Sequence, residues 1–228
     1  MRPHRAQSDA DAAGACIAHS VRLICDRAAL WPGRRAIIVA DVHLGKAASF
    51  RAAGVPVPET VAHDLSRLTT LLEAHDAQEL IVLGDLIHDR HVIEIQHALR
   101  SWRERHEGIR LRIVVGNHDR RATHVLDAIG AELVPEGAML EDIRLLHDPG
   151  ARVEDPLPAS RGSSALALAG HLHAVVRLRR GSGGCLGSER APCFWLRAGT
   201  LVFPAFGSFT GGRAIRPVPG DRVWAVGE

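Results

Sequence analysis

The chain has a single lysine. Of its 28 basic side chains all but Lys46 are arginine. Where arginine serves every other basic position, a lone lysine points to a need for a compact ammonium at that place. Long apolar runs are missing as well. None approaches the roughly 18 residues of a membrane-spanning helix, so no membrane partner is expected. The first residues carry Asp9 and Asp11 and no apolar h-region, which argues against a secretory signal peptide. The four cysteines (Cys16, Cys25, Cys185, Cys193) form no C-x-x-C pair, and a reduced, cytoplasmic chain is the simplest expectation. Neither an internal repeat nor an interdomain linker is visible.

What remains is an ordinary globular composition, 46% apolar and 24% charged over 228 residues, enough for one sizeable core. Residues 1–14, polar and alanine-rich, read as a disordered tail, and residues 15–228 as one domain. The net charge of +2 conceals an asymmetry. From Arg161 onward nine arginines face only Glu189, Asp221 and Glu228, leaving +6 there and −4 in residues 1–160. A basic C-terminal part favours an anionic partner, although a solvated arginine face has the same composition.

The pattern of apolar runs predicts alternating strands and helices. Val21–Cys25 and Ala28–Trp31 read as a strand pair, and the run from Ile37 as a strand buried on both faces. A loop is expected from Lys46 to Pro58. Val61, Leu65, Leu68 and Leu72 then recur at helical spacing. Leu80–Leu83 forms a second buried strand, and Ile95, Leu99 and Trp102 mark a helix core. Leu111–Val115 forms a third strand, and a shorter helix carries Val125, Leu126 and Ile129. Short strands follow at Ile143–Leu146, Ala165–Ala169 and Leu201–Phe203, with a loop over Pro149–Ser164 and a Gly/Ser-rich excursion over Gly181–Pro192. Phe203, Phe206 and Phe209 suit core packing better than base stacking.

The chemistry sits where these strands stop. Ligands in open α/β sheets collect beyond the carboxyl ends of the strands. Five apolar strands end here in potential metal donors: Asp41/His43, Asp85, Asn117, His147 and His171/His173. One Asp-x-His pair recurs by chance; the convergence of five such blocks is far more specific. Separations of 44 and 32 residues between Asp41, Asp85 and Asn117 suit successive right-handed β-α-β crossovers, which align the three strand ends on one edge. The set is all oxygen and nitrogen, fitting two Mn²⁺, Fe or Zn²⁺ ions better than a thiolate zinc site. Lys46 and Arg120 are candidates for pairing with phosphate. His88 and His91 follow Asp85 closely enough to line the site.

The series D-x-H, G-D, G-N-H-D, a lone His after a strand, and G-H-x-H resembles the calcineurin-like metallophosphoesterases, with all five blocks in that family's order over residues 41–173. A further likeness runs from about Val21 to Gly212. The stretches Arg27–Pro32, Ala40–Lys46, Phe50–Pro58 and Phe206–Gly212 are similar to the bacterial DNA ligase-associated metallophosphoesterases. This resemblance implies an α/β layered metallophosphoesterase sandwich, two mixed β-sheets packed together and flanked by helices. It implies that Asp41, His43, Asp85 and His173 hold one metal, Mn²⁺ foremost. Asp85, Asn117, His147 and His171 would hold the second, with Asp85 bridging. His118 corresponds to the family's general acid and Asp119 to the carboxylate that orients it.

The implied reaction is in-line hydrolysis of a phosphodiester. The resemblance also implies DNA, single-stranded or open, as substrate in damage response, and a DNA ligase and helicase of the same repair system as partners. Two other readings compete. One is the same chemistry on a small ester, such as a nucleotide-lipid pyrophosphate or a cyclic nucleotide. The other is a silent scaffold, which would have no chemical reason to keep a complete ligand set beside His118.

Overall fold

The computed structural model describes residues 16–17, 21–88, 92–151, 166–179 and 188–227. The tail 1–14, His91, and most of the loops expected over 149–164 and 181–192 lie outside them.

Two sheets stack face to face. The first runs β1 (Cys16–Ile17), β2 (Val21–Ile24), β3 (Ala28–Trp31), β4 (Ala36–Val39), β5 (Glu79–Val82), β6 (Arg110–Val114) and β7 (Glu132–Val134), in sequence order from edge to edge. β1 to β4 pair antiparallel and β4 to β7 parallel. The parallel half is built through α2 (Val61–Ala74), α3 (Val92–Arg105) and α4 (Thr123–Ala128), following α1 (Lys46–Ala52). The second sheet contains β8 (Met139–Leu140), β9 (Ile143–Leu145), β10 (Leu166–Ala169), β11 (Ala174–Arg179), β12 (Ser188–Arg197), β13 (Thr200–Val202) and β14 (Arg213–Ala214). Its order is β14-β11-β12-β13-β10-β9-β8, with β15 (Arg222–Ala225) also pairing β12.

Period-two alternation in β4 and β5 explains the layering. Ile37, Val39, Leu80 and Val82 face the helices, where Leu65, Leu68, Leu72, Ile95, Leu99 and Trp102 cover them. Ile38, Ile81 and Leu83 face the second sheet and meet Ile143, Leu145, Leu168, Phe194, Leu201 and Phe203. Each large aliphatic side chain so buried contributes about 1.5–3 kcal/mol. Trp102 also donates from Nε1 to Thr69 Oγ1 (3.0 Å), tying α3 to α2. Because the sheets share this core, the carboxyl ends of β4, β5 and β6 come to lie against those of β9 and β10.

Two expectations are corrected. The stretch after Lys46 is not all loop: residues 46–52 form α1, entered from Gly45 at φ 87°. Its seven residues are too few and too alanine-rich to show a helical period. Ser188–Pro192, expected in a Gly/Ser-rich excursion, is the first half of β12 and pairs with β11. The strands β11, β14 and β15 had no signal, since arginines interrupt their apolar alternation.

Candidate metal centre

Of the four parallel strands of the first sheet, β4 and β5 release their chain into loops that keep running side by side. Asp41 N–H donates to Gly84 O, His43 N–H to Asp85 O and Leu44 N–H to Leu86 O. The backbone then turns sharply. Asp41 (φ 51°), His43 (49°), Asp85 (53°), His171 (66°) and His173 (47°) all occupy the left-handed region. Asp and His tolerate that conformation better than most residues, but it still carries strain of order 1–3 kcal/mol each. Five such residues converging on one point mark a functional site.

Glycines make the convergence possible. A Cβ on Gly84 (φ 80°) would stand 2.1 Å from His147 Nδ1, and one on Gly116 would stand 2.2 Å from Asp85 Oδ1. The glycines of G-D and G-N-H-D are therefore the space into which donor side chains pack.

Two clusters result. In the first, His43 Nε2 lies 3.0 Å from His173 Nε2, and His173 Nε2 lies 3.5 Å from Asp41 Oδ1. In the second, His147 Nε2 lies 2.9 Å from Asn117 Oδ1, 3.1 Å from His171 Nδ1 and 3.5 Å from Asp85 Oδ2. Asp85 Oδ2 is also 3.8 Å from His43 Nε2, so this one oxygen stands between the clusters. Asp41, His43, Asp85 and His147 are buried, while Asn117 and His171 are exposed at the mouth.

The proton inventory shows what this arrangement lacks. His173 Nδ1 meets the carbonyl of Gly211 (3.0 Å) and His147 Nδ1 that of Leu83 (3.1 Å). A carbonyl only accepts, so each ring donates there and turns a bare Nε2 lone pair inward. Those lone pairs face Asp41 Oδ1 and Asp85 Oδ2, acceptors as well. Asp41 Oδ1 and His43 Nδ1 are buried without a hydrogen-bond partner. Burial, and then Lys46 beside it, keep His43 neutral by pushing its pKa far below the ordinary range. Neutral imidazoles and carboxylates crowded lone pair to lone pair are a cation site, and the O/N donor set fits divalent first-row metals. The groups Asp41/His43/His173 and Asp85/His147/His171 each gather their ligand atoms within 4.8 Å.

Beside these clusters stands a third group, His43/His88/His118. His118 donates its backbone N–H to Asp85 Oδ1 (2.9 Å) and stacks on His88, with centroids 4.7 Å apart and planes at 25°. Its ring lies edge-on to His43 at 5.0 Å. Asp119 does not orient that ring, which corrects the expectation. Asp119 Oδ1 accepts from Ile87 N–H and Oδ2 from Gly116 N–H (3.1 Å each), while His118 Nδ1 has no hydrogen-bond partner. Asp119 is fully buried and clips the G-N-H-D turn onto the loop after β5. Burial raises its pKa to about 6 against the backbone hydrogen bonds that lower it.

Lys46 opens α1 half-buried at the site. Burial lowers its pKa while Asp41 and Asp85 raise it, which places the ammonium in their field. Arg120 is exposed on the turn Asp119–Arg121 and makes no hydrogen bond to the cluster.

One supporting structure stood in the sequence only as a stretch of family likeness, with no place in the site. The loop from Phe206 to Gly212 supplies the Gly211 carbonyl to His173, and α2 holds that loop. Asp64 Oδ1 accepts from Ser208 N–H (3.0 Å) and Ser208 Oγ (2.5 Å), and Arg67 donates to Phe206 O (2.7 Å). Asp64 is 2% exposed. Phe203 and Phe206 are core residues, and Phe209 packs edge-on against Phe50 at 5.0 Å.

No protein-family model matches the chain, and no curated protein matches it. Among solved structures, the nuclease MPE of Pseudomonas putida is similar with 36% identity and a TM-score of 0.74, over 91% of this chain and 92% of that one. The chain is a calcineurin-like metallophosphoesterase. The Escherichia coli phosphoesterase Yfce is far more distant, with 18% identity and a TM-score of 0.41 over 77% of this chain and 83% of that one. As a metallophosphoesterase, the chain is a metal-dependent phosphoesterase with divalent cations as its cofactors. Among the described residues no helix is long and apolar enough to cross a membrane.

Proposed function

We propose that this metallophosphoesterase is a binuclear phosphodiesterase and nuclease that cleaves single-stranded or otherwise open DNA. The observation that carries the reading is its similarity, over nearly its whole length, to a protein described as a nuclease. In this reading Asp41, His43 and His173 hold one metal, Asn117, His147 and His171 the other, and Asp85 contributes to both. Mn²⁺ is the ion proposed from the family resemblance, with Fe or Zn²⁺ the alternatives that the same O/N set accommodates.

When bound, two divalent cations lower the pKa of water and neutralise charge on the phosphate oxygens. The chain supplies the rest. The Leu83 and Gly211 carbonyls fix the tautomers of His147 and His173, so that each presents its Nε2 lone pair. His118 holds a proton at its ring beside the cluster and delivers it to the departing alkoxide, a step typically worth about 10²–10⁴ in rate. Lys46 places an ammonium where a phosphate oxygen carries charge, and exposed Arg120 is a weaker candidate for the same contact. Damage repair, and association with a DNA ligase and helicase, belong to the same proposal.

Mn²⁺-loaded protein assayed on single-stranded DNA, duplex DNA, cyclic nucleotides and an aryl phosphodiester tests it. The expected order is open DNA over duplex, with the aryl diester also hydrolysed. Brisk turnover of a cyclic nucleotide with no cleavage of any DNA would replace the DNA reading with a small-molecule one.

A further inference from the structure

A groove of about 520 Å³ opens beside the metal centre, lined by Leu172, Trp195, Arg197, Arg213, Ile215 and their neighbours Ala214 and Arg216. Chain neighbours and one backbone hydrogen bond join it to the site. Leu172 sits between the donors His171 and His173, and Arg213 N–H donates to His173 O (3.1 Å). Arg213 follows the Gly211–Gly212 segment that orients His173, and β14 keeps it there by pairing parallel with β11.

The groove's charge is one-sided. Arg197, Arg213 and Arg216 are exposed. Arg197 rests over the Trp195 ring (5.5 Å) and lies 4.0 Å from Asp221, which partly offsets it. Arg213 and Arg216 have no carboxylate within ion-pair distance among the described residues. Trp195 spends its Nε1 donor on Asp221 Oδ2 (2.9 Å) and leaves its half-buried ring at the groove wall. Guanidinium groups beside an aromatic face are the elements with which single-strand channels hold a backbone and stack bases, without reading sequence.

We propose that this groove binds the phosphate backbone of a single-stranded nucleic acid that continues away from the metal centre, with Arg213 and Arg216 on phosphates and Trp195 against a base. The inference rests on the nuclease reading for its choice of ligand, but binding tests it apart from cleavage. A fluorescent oligodeoxythymidylate of about 12 nucleotides, within the usual site sizes, is titrated with the metal-loaded protein at several salt concentrations. Arg213→Ala with Arg216→Ala is expected to weaken binding about tenfold or more. The salt slope should fall by about 1.4, since each single-strand phosphate contact contributes about 0.7. Arg105→Ala with Arg110→Ala, an equal loss of charge at the far end of the strands, should change little. Trp195→Phe should remove the tryptophan quenching that accompanies binding, and turnover of a small aryl phosphodiester should be unaltered in Arg213→Ala/Arg216→Ala.

Equal affinity and slope in wild type and the groove variant, an equal loss in the control variant, or no binding by wild type would each overturn the groove. A wild type that binds through the groove yet cleaves no DNA would leave the groove standing and remove the nuclease reading instead.

Discussion

The same strands treat buried charge in opposite ways at their two ends. At the amino ends, Glu79 accepts from Arg112 (2.6 Å) and Arg34 (2.9 Å), and Arg112 also pairs with Glu132 (2.9 Å). Glu79 and Arg112 are buried, and both are met by opposite charge. The concavity there, about 820 Å³, is lined by arginines and glutamates that largely neutralise one another. At the carboxyl ends, Asp41, Asp85 and four imidazoles meet acceptor to acceptor, all but His147 on left-handed backbone. One end is complete as a protein; the other is complete only with cations. A large cavity is therefore a poor guide to chemistry in this molecule, and unmatched lone pairs are a better one.

Substitutions can break this contrast. The largest effect is expected for Asp85→Asn, which takes a shared charge from both clusters. Turnover on every phosphodiester should fall by about 10³-fold or more, several kcal/mol of transition-state stabilisation. Metal-free protein should melt no lower than wild type, because the substitution relieves a carboxylate whose pKa burial raises. Calorimetry with and without Mn²⁺ reads both halves, and a large loss of metal-free stability would contradict the contrast.

His118→Ala comes next. Metal content should be kept, while rate falls about 10²–10⁴-fold on DNA and little on a nitrophenyl ester, whose leaving group needs no proton. Equal losses on both substrates would reassign His118 to positioning.

At the other end the effect moves from activity to stability. Arg112→Met takes the 2.6 Å partner from buried Glu79 and leaves it Arg34 alone, which should cost about 3 kcal/mol, the low end for a broken buried pair, whereas Arg112→Met with Glu79→Leu should recover much of it. Denaturant melts measure this, and activity per folded molecule should stay unchanged. The smallest effect is expected for Asp64→Ala. It frees Ser208 and loosens the loop that orients His173, so metal affinity should weaken about tenfold, the low end for outer-sphere partners. Direct metal titration reads it, and Asp64→Asn should restore part of the loss.

Much of this was legible in the sequence, and the reason is local. β4, β5 and β6 are short runs, apolar toward their carboxyl ends, that stop just before a donor, so Asp41, Asp85 and Asn117 could be aligned by strand ends alone. α2 and α3 carried clear periods. The supports were not legible, because they depend on atoms brought from far away. Asp64 reads as a surface residue of an amphipathic helix until Ser208, 144 positions on, is placed against it. The Gly211 carbonyl that sets the His173 tautomer carries no side-chain signal at all. The family resemblance made Asp119 the carboxylate that orients His118, but the turn sends that carboxylate back to Gly116 and Ile87. The groove of Arg213, Arg216 and Trp195 is assembled from strands with weak patterns, and charge asymmetry alone could not locate it.

The acceptor-rich strand ends are expected to hold two cations through one shared carboxylate. Crystals of Mn²⁺-loaded protein measured at the manganese absorption edge test it directly. Two anomalous peaks per chain are expected, one against Asp41, His43 and His173, the other against Asn117, His147 and His171, with Asp85 touching both. A single peak, or a peak held by His43, His88 and His118 with Asp85 free, would contradict it.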